Sequence, residues 1–153
     1  MQRDTALDAG ALDPNEEAME VDRADVDHWL RAYIEAWKSN DRDQIGALFS
    51  DGVTYRYHPF DEPIVGRKAL VDSWLGEGDY GDDDWVPDEK GTYEAAYRAV
   101  TVDGEVAVAT GISTYFTEPG GAVKDVYHNC FVMRFDSAGL CRDFTEWFMR
   151  RPS

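Results

Sequence analysis

Three residues in this chain have the acid–base range to do chemistry: His58 just before a proline, Tyr33 on a stretch of helical periodicity, and Glu146 among large apolar residues near the C-terminus. A histidine titrates near neutral pH, so it takes a proton from carbon or activates a water. A carboxyl on an apolar face must be paired or protonated, because burying an isolated charge is costly. Glu146 is therefore either a structural partner of Asn129 or Arg56, or a pocket acid with a raised pKa. The bland alternatives are as concrete: His58 as a turn histidine bonded to a backbone carbonyl, Tyr33 as a core tyrosine between Trp29 and Trp37. His28 lies among acidic positions and His128 on the outer face of a strand, so the three histidines do not converge on a metal.

Other chemistries lack their motifs. The chain has no Walker loop, no dinucleotide glycine fingerprint, no G-x-S-x-G elbow and no C-x-x-C pair. Nucleotide enzymes, serine hydrolases and thiol redox proteins are thereby disfavoured, and proton transfer by His58, Tyr33 or Glu146 calls for no cofactor. With 31 acidic and 15 basic residues the formal net charge is -16, and the only adjacent basic pairs are Arg67-Lys68 and Arg150-Arg151. Such a surface repels nucleic-acid phosphates and anionic lipid, so neither nucleic acid nor membrane is an expected partner. The first twenty residues lack the basic start and apolar core of a signal peptide, and no segment has the apolar length of a membrane span. Cys130 and Cys141 fall out of register on neighbouring strands, which predicts reduced thiols and a cytoplasmic home.

The elements that must position these groups follow from periodicity. Residues 1–20 are acidic and lack apolar periodicity, an expected mobile tail ahead of a single domain over 21–153. Val26, Trp29, Leu30, Tyr33, Ile34 and Trp37 recur at helical steps. Asn40-Asp41 ends that helix, and Asp41 with Gln44 resembles a capping box opening a second, whose Ile45, Leu48 and Phe49 face inward and which Asp51-Gly52 stops. Val53 to His58 reads as a strand and Gly66 to Leu75 as a third helix carrying Leu70, Val71 and Trp74. Glu77 to Glu89 reads as an acidic loop. Four strands follow, about 92–101, 105–117, 123–135 and 140–150, separated by glycine-containing turns. Three helices before an antiparallel meander make an α+β fold: a curved, cone-shaped antiparallel sheet packed against three N-terminal helices.

Strand alternation then sorts the faces. A two-residue turn centred on Ser137-Ala138 sets Phe131 opposite Phe144, Asn129 opposite Glu146 and Tyr127 opposite Phe148. Tyr127, Phe131, Met133, Phe135, Phe144 and Phe148 then share the inner face with Asn129 and Glu146 stranded among them. A turn one residue longer turns the last strand over and replaces Glu146 with Trp147. On the first strand, alternation puts Tyr55 and Tyr57 on one face and Arg56 and His58 on the other.

At this point the chain resembles a known family. Y-I-E-A-W ending the first helix, D-x-x-x-I-x-x-L-F on the second, the strand running into His58-Pro59, Gly66 opening the third helix and the R-F-D-x-x-G turn at Arg134 to Gly139 are together similar to the NTF2-like superfamily, in particular its SnoaL-like and ketosteroid-isomerase-like members. The resemblance spans about Val26 to Arg150. It implies a small-molecule pocket inside the cone, with Tyr33 at the position of an oxyanion-donating tyrosine and His58 at the position of a general base. Phe131 stands where those isomerases carry a second, protonated acid, so the steroid-isomerase constellation is incomplete here.

The resulting expectation is a cofactor-independent isomerase, cyclase or dehydratase, or a hydrolase, acting on a small apolar substrate. His58 is its acid or base, Tyr33 its polariser and Glu146 a third catalytic candidate, and Trp37, Tyr57, Trp74, Asn129, Phe131, Phe144 and Phe148 bind substrate. The alternative is a non-catalytic binder of a small aromatic or terpenoid molecule, or a dimeric scaffold. A homodimer through the outer sheet face, which carries Cys130, Val132 and Trp147, is expected in either case.

Overall fold

A computed structural model of the chain describes residues 21–77 and 87–153. The expected tail at 1–20 and most of the expected acidic loop, 78–86 with its Trp85, lie outside the described residues. Helix α1 spans Arg23–Ser39. It opens with a capping box that the sequence reading did not name: the Asp22 carboxylate accepts from the Asp25 backbone N–H, and the Asp25 carboxylate accepts from that of Asp22. Val26, Trp29, Leu30, Tyr33 and Ile34 form the buried stripe, and Asn40 closes the helix in the left-handed conformation at φ 52°. Asp41 caps α2, Arg42–Gly46, through the Gln44 N–H.

Helix α2 is a single short turn. Phe49 faces inward as expected, but from strand β1, Phe49–Arg56, and Asp51-Gly52 lie within that strand rather than ending a helix. A break in register between Phe49 and Thr54 absorbs the dipeptide as an irregularity in the pairing. Strand β2, Ile64–Val65, returns antiparallel to β1. Gly66, at φ 100°, then turns the chain into α3, Arg67–Trp74, a conformation that favours glycine. Strands β3 (Tyr93–Asp103), β4 (Val106–Phe116), β5 (Val123–Phe135) and β6 (Cys141–Arg150) complete a six-stranded sheet of order β2-β1-β6-β5-β4-β3. The fold is the expected α+β one, three helices on a curved sheet. The meander is antiparallel, while β1 runs parallel to β6 and makes the sheet mixed.

The last hairpin differs from expectation in an instructive way. Phe131 pairs with Glu146, Asn129 with Phe148 and Met133 with Phe144, a slip of two residues from the expected register. One residue comes from the turn, where Asp136 N–H donates to the Leu140 carbonyl and the Asp136 carboxylate accepts from the Ala138 and Leu140 amides. The other comes from a bulge at Arg142, because Arg134 faces Asp143 while Phe135 faces Cys141. Each irregularity alone would turn β6 over. Together they restore the side-chain parity, so Phe131, Met133, Phe135 and Phe144 are buried on the concave face with Asn129 and Glu146 beside them. Cys130 stands opposite Trp147 and Cys141 opposite Phe135, and both thiols are free.

The core is an aromatic stack. Tyr55 lies parallel to Phe144 with centroids 4.5 Å apart, Tyr33 lies nearly parallel to the same ring at 5.6 Å, and Trp29 packs edge-on to Phe49 and Phe135. The Trp29 indole N–H donates to the Leu48 carbonyl at 3.0 Å, so the helix face is tied to the chain entering β1. No described helix is long and apolar enough to cross a membrane.

Gly111 on β4 is where the sheet comes closest to itself. It pairs with Tyr97, and a Cβ there would overlap the Ala96 carbonyl oxygen and fall 2.5 Å from Cδ1 of Tyr97. The missing side chain lets the Tyr97 ring lie over the strand and reach inward. Gly111→Ala is expected to cost about 3 kcal/mol or more, since the Ala96 and Tyr97 backbone paired with it has no room to give. Chemical denaturation checks this, and a variant within about 0.5 kcal/mol of the parent would refute the close approach.

Candidate functional site

The concave face of the sheet encloses two connected chambers. An outer one of about 880 Å³ is bordered by His58, Tyr127 and Phe148, and an inner one of about 210 Å³ by Tyr33, Trp37, Trp74 and Tyr97. Tyr55, Tyr57, Asp88, Ser113, Tyr115, Asn129 and Glu146 border both. The outer volume is in the range of small-molecule sites.

Glu146 stands at the junction. Strand β6 delivers it to the concave face between Phe144 and Phe148, and its only hydrogen bond among the described residues is from Asn129 Nδ2 to Oε2, at 2.7 Å. Burial among aromatic rings raises its pKa from the ordinary 4.5 to about 7, against the opposing effects of the Asn129 hydrogen bond and the nearby His58. Of the two partners expected for this carboxyl, the structure supplies Asn129. Arg56 makes no recorded bond to it.

Asn129 is itself held. Ser113 Oγ donates to Asn129 Oδ1 at 2.6 Å, and the Tyr97 hydroxyl donates to Ser113 Oγ at 3.3 Å. Ser113 and Asn129 are both buried, 3% and 7% exposed, which is why their polar atoms are paired with one another. Ser113 was not singled out in the sequence; its inward position two residues from Gly111 was the available signal.

The tyrosines are mostly committed. Tyr33 and Tyr55 hydroxyls bond each other at 3.0 Å, and the Tyr57 hydroxyl bonds Ser73 Oγ at 3.0 Å. Burial holds Tyr33 and Tyr55 well above the ordinary phenol range and pushes Tyr57 up to about 12, so all three stay neutral. Tyr115 borders both chambers, and its hydroxyl makes no hydrogen bond among the described residues.

His58 and Tyr33 do not meet at one centre. Strand β1 ends at Arg56, and the chain turns through His58 to Asp61, where the Asp61 N–H donates to the His58 carbonyl. That turn breaks the alternation, so His58 borders the outer chamber together with Tyr55 and Tyr57 instead of lying on the opposite face. Its side chain is 54% exposed, its Nδ1 pairs with Asp61 at 2.9 Å, and its ring leans on Phe148 at 5.1 Å. The sequence-expected substrate contacts divide: Trp37 and Trp74 border the inner chamber, Phe148 the outer, Tyr57 and Asn129 both. Phe131 and Phe144 are instead fully packed in the core, Phe131 edge-on to Tyr97 and tilted against Tyr33, and Phe144 stacked on Tyr55. Among the described residues no group of three or more histidine, cysteine or carboxylate side chains could hold a metal.

With this geometry in place, the comparisons with known proteins are specific about kinship. Residues 30–144 match the SnoaL-like domain, and the chain belongs to that family. A candidate ketosteroid isomerase from Kribbella flavida is similar in structure at 15% identity and TM-score 0.58, covering 86% of this chain and 83% of that one. An NTF-2 like protein of unknown function from Burkholderia xenovorans aligns at 16% identity and TM-score 0.59, covering 85% and 87%. An LEH-like epoxide hydrolase of M. tuberculosis aligns at 14% identity and TM-score 0.56, covering 83% and 84%. No curated protein matches by sequence. At these identities the likenesses establish the NTF2-like fold.

The buried acid has a thermodynamic consequence. A carboxyl whose folded pKa lies above its unfolded value favours folding while protonated. That contribution is complete below pH 4.5 and is lost as pH rises through about 7. Glu146→Gln keeps the neutral form at every pH, so its stability relative to the parent is expected to rise between pH 4.5 and 8, by up to about 3 kcal/mol. Urea titrations at a series of pH values check it; parallel pH–stability curves would show that the carboxyl is not desolvated.

Proposed function

We propose that this protein is a cofactor-independent proton-transfer enzyme, of isomerase or related type, for a small uncharged substrate, with Glu146 as the acid–base group. One observation carries the proposal: of the two described acids that border both chambers, Asp88 precedes the meander, whereas Glu146 stands on a strand of the sheet among aromatic rings, and one of its oxygens has no hydrogen bond among the described residues. The carboxylate removes a proton from carbon beside a carbonyl, the electron pair of that C–H bond moves onto the carbonyl oxygen, and the same carboxyl returns the proton to another carbon. Tyr115 is the neutral hydroxyl available to donate to the developing oxyanion. His58, at the rim and paired with Asp61, lies near the carboxylate and does not touch the reacting atoms. The catalytic role expected for His58 thus passes to Glu146, and Tyr33 serves as part of the inner wall.

The non-catalytic alternative has an observation of its own. Tyr33 with Tyr55, Tyr57 with Ser73, and the run from Tyr97 to Glu146 satisfy one another, as in a pure binding cavity. The two readings part on proton exchange. With cyclic ketones and enones in deuterated solvent, the parent is expected to catalyse exchange at carbon. Glu146→Gln should lose roughly 10²–10⁴-fold and His58→Ala less than about 10-fold. An active Glu146→Gln would overturn the assignment, and ligand binding without exchange in the parent would establish the binder.

The same proposal includes a homodimer through the outer face and a cytoplasmic setting, which suits two free thiols. Met149, His128 and Ile112 stand in one cross-strand row with Trp147 beside them, and Met149 is 74% exposed. Trp147→Glu is expected to convert a dimer to a monomer in sedimentation equilibrium; a parent that sediments as a monomer would refute the pairing.

A further inference from the structure

Hydrogen-bond donors in the buried run have a single direction. Ser113 Oγ has one hydrogen, and it is given to the carbonyl oxygen of Asn129 at 2.6 Å; one of its two lone pairs receives the Tyr97 hydroxyl at 3.3 Å, and turning the amide over would leave that buried hydrogen without the Asn129 oxygen. An amide whose oxygen is taken by Ser113 has only its NH₂ to turn toward Glu146, and it does so at Oε2, 2.7 Å away. We infer that Ser113 is a positioning residue for Glu146: by holding the Asn129 amide in one of its two orientations, it reserves Oε2 as a pure acceptor and leaves Oε1 as the atom that takes and gives the proton.

The alternative orientation shows what the serine prevents. With the amide turned over, Asn129 Oδ1 would face Oε2, and two acceptors at hydrogen-bond distance need a proton between them. Glu146 would then have to be protonated and would spend its proton on Asn129 rather than on a ligand. Among the described residues no other donor reaches Asn129 Oδ1. Tyr33 from α1, Tyr55, Tyr57 and His58 from β1 and the turn after it, Tyr97 from β3 and Tyr115 from β4 are the titratable groups whose fields couple to the carboxyl. The tyrosines are held neutral by burial. Asp61, Glu62, Lys124 and Asp125 border the outer chamber and Asp88 both chambers, Asp125 already paired with Arg150 at 2.8 Å.

The role of Ser113 rests on Glu146 being the proton-transfer group proposed above, but its test needs no substrate. Protein carrying ¹³C at the glutamate side-chain carboxyls is titrated by NMR, with the Glu146 resonance assigned by its loss in Glu146→Gln. Ser113→Ala, which deprives Asn129 Oδ1 of its donor and frees the amide to turn, is expected to raise the Glu146 midpoint by about one unit, a tenfold shift toward the protonated form. Ser113→Thr, which keeps the hydroxyl, is expected to stay within about 0.3 unit of the parent, and so is Tyr97→Phe, which leaves the Ser113 to Asn129 bond in place. A Ser113→Ala titration that superposes on the parent overturns the proposal. Equal shifts in the Ala and Thr variants overturn it too, because the hydroxyl is then not what matters. A catalytically active Glu146→Gln would remove the enzymatic reading and leave this titration result standing.

Discussion

The hydrogen bond from Asn129 to Glu146 is the contact around which the rest of this molecule is arranged. It joins two polar side chains on a sheet face otherwise given to Phe131, Met133, Phe135 and Phe144. A lone carboxyl there would be costly, and one bond from an amide offsets only part of the desolvation. The remainder is expressed as a pKa near neutrality. Everything that shapes the chambers serves to hold that compromise: α1 closes the cone, α3 brings Ser73 to Tyr57, and Gly111 admits the ring of Tyr97 to the end of the run.

The surrounding stack makes the site rigid. Phe144 lies parallel to Tyr55 and nearly parallel to Tyr33, and the two hydroxyls bond each other at 3.0 Å. A phenol pair of this kind satisfies two buried polar atoms without any water, and each hydroxyl fixes the other's ring. Glu146 is two residues from Phe144 on the same strand face, so its backbone inherits that rigidity. A preorganised carboxyl beside a preorganised amide is what proton transfer in a partly dry site needs, because little reorganisation is left for the reaction to drive.

Much of the fold was legible because periodicity reports burial. Helical steps from Val26 to Trp37 and alternation along 123–135 located α1 and β5 closely, and the glycine-bearing turns separated the four long strands. What local pattern could not show were events that depend on partners distant in sequence. Phe49 to Gly52 has the composition of a helix end and a turn, yet pairing with β6 draws it into a strand. The slip of two residues in the last hairpin is the sum of a longer turn and a bulge at Arg142, neither of which the alternation records. Because the two cancel in parity, the inner face was read correctly from an incorrect register. Of the site, Glu146 and its partner Asn129 were legible as polar residues out of place on an apolar face. For His58 the resemblance supplies a position on the chain but not the turn that sends its ring to the rim, against Asp61 and Phe148.

Where stability and pattern disagree, the disagreement is informative. A hydrophobic residue at 146 would satisfy the alternation of β6 and remove the penalty of a buried acid, and Asn129 and Ser113 would then have no polar neighbour to serve. The chain instead carries a graded set of three polar side chains reaching inward from Tyr97, each satisfied by the next, and ends it in a carboxyl with one oxygen unpaired among the described residues. A structural network has no need of such an open end, because its function is complete when every member is paired. Functional sites are the usual place for a local rule to be broken without a gain in stability. The open oxygen faces chambers walled by tyrosines that burial keeps neutral, inside a protein whose net charge of -16 discourages anions from approaching. Under the proposed proton-transfer role, the negative charge outside and the buried carboxyl inside both favour an uncharged ligand.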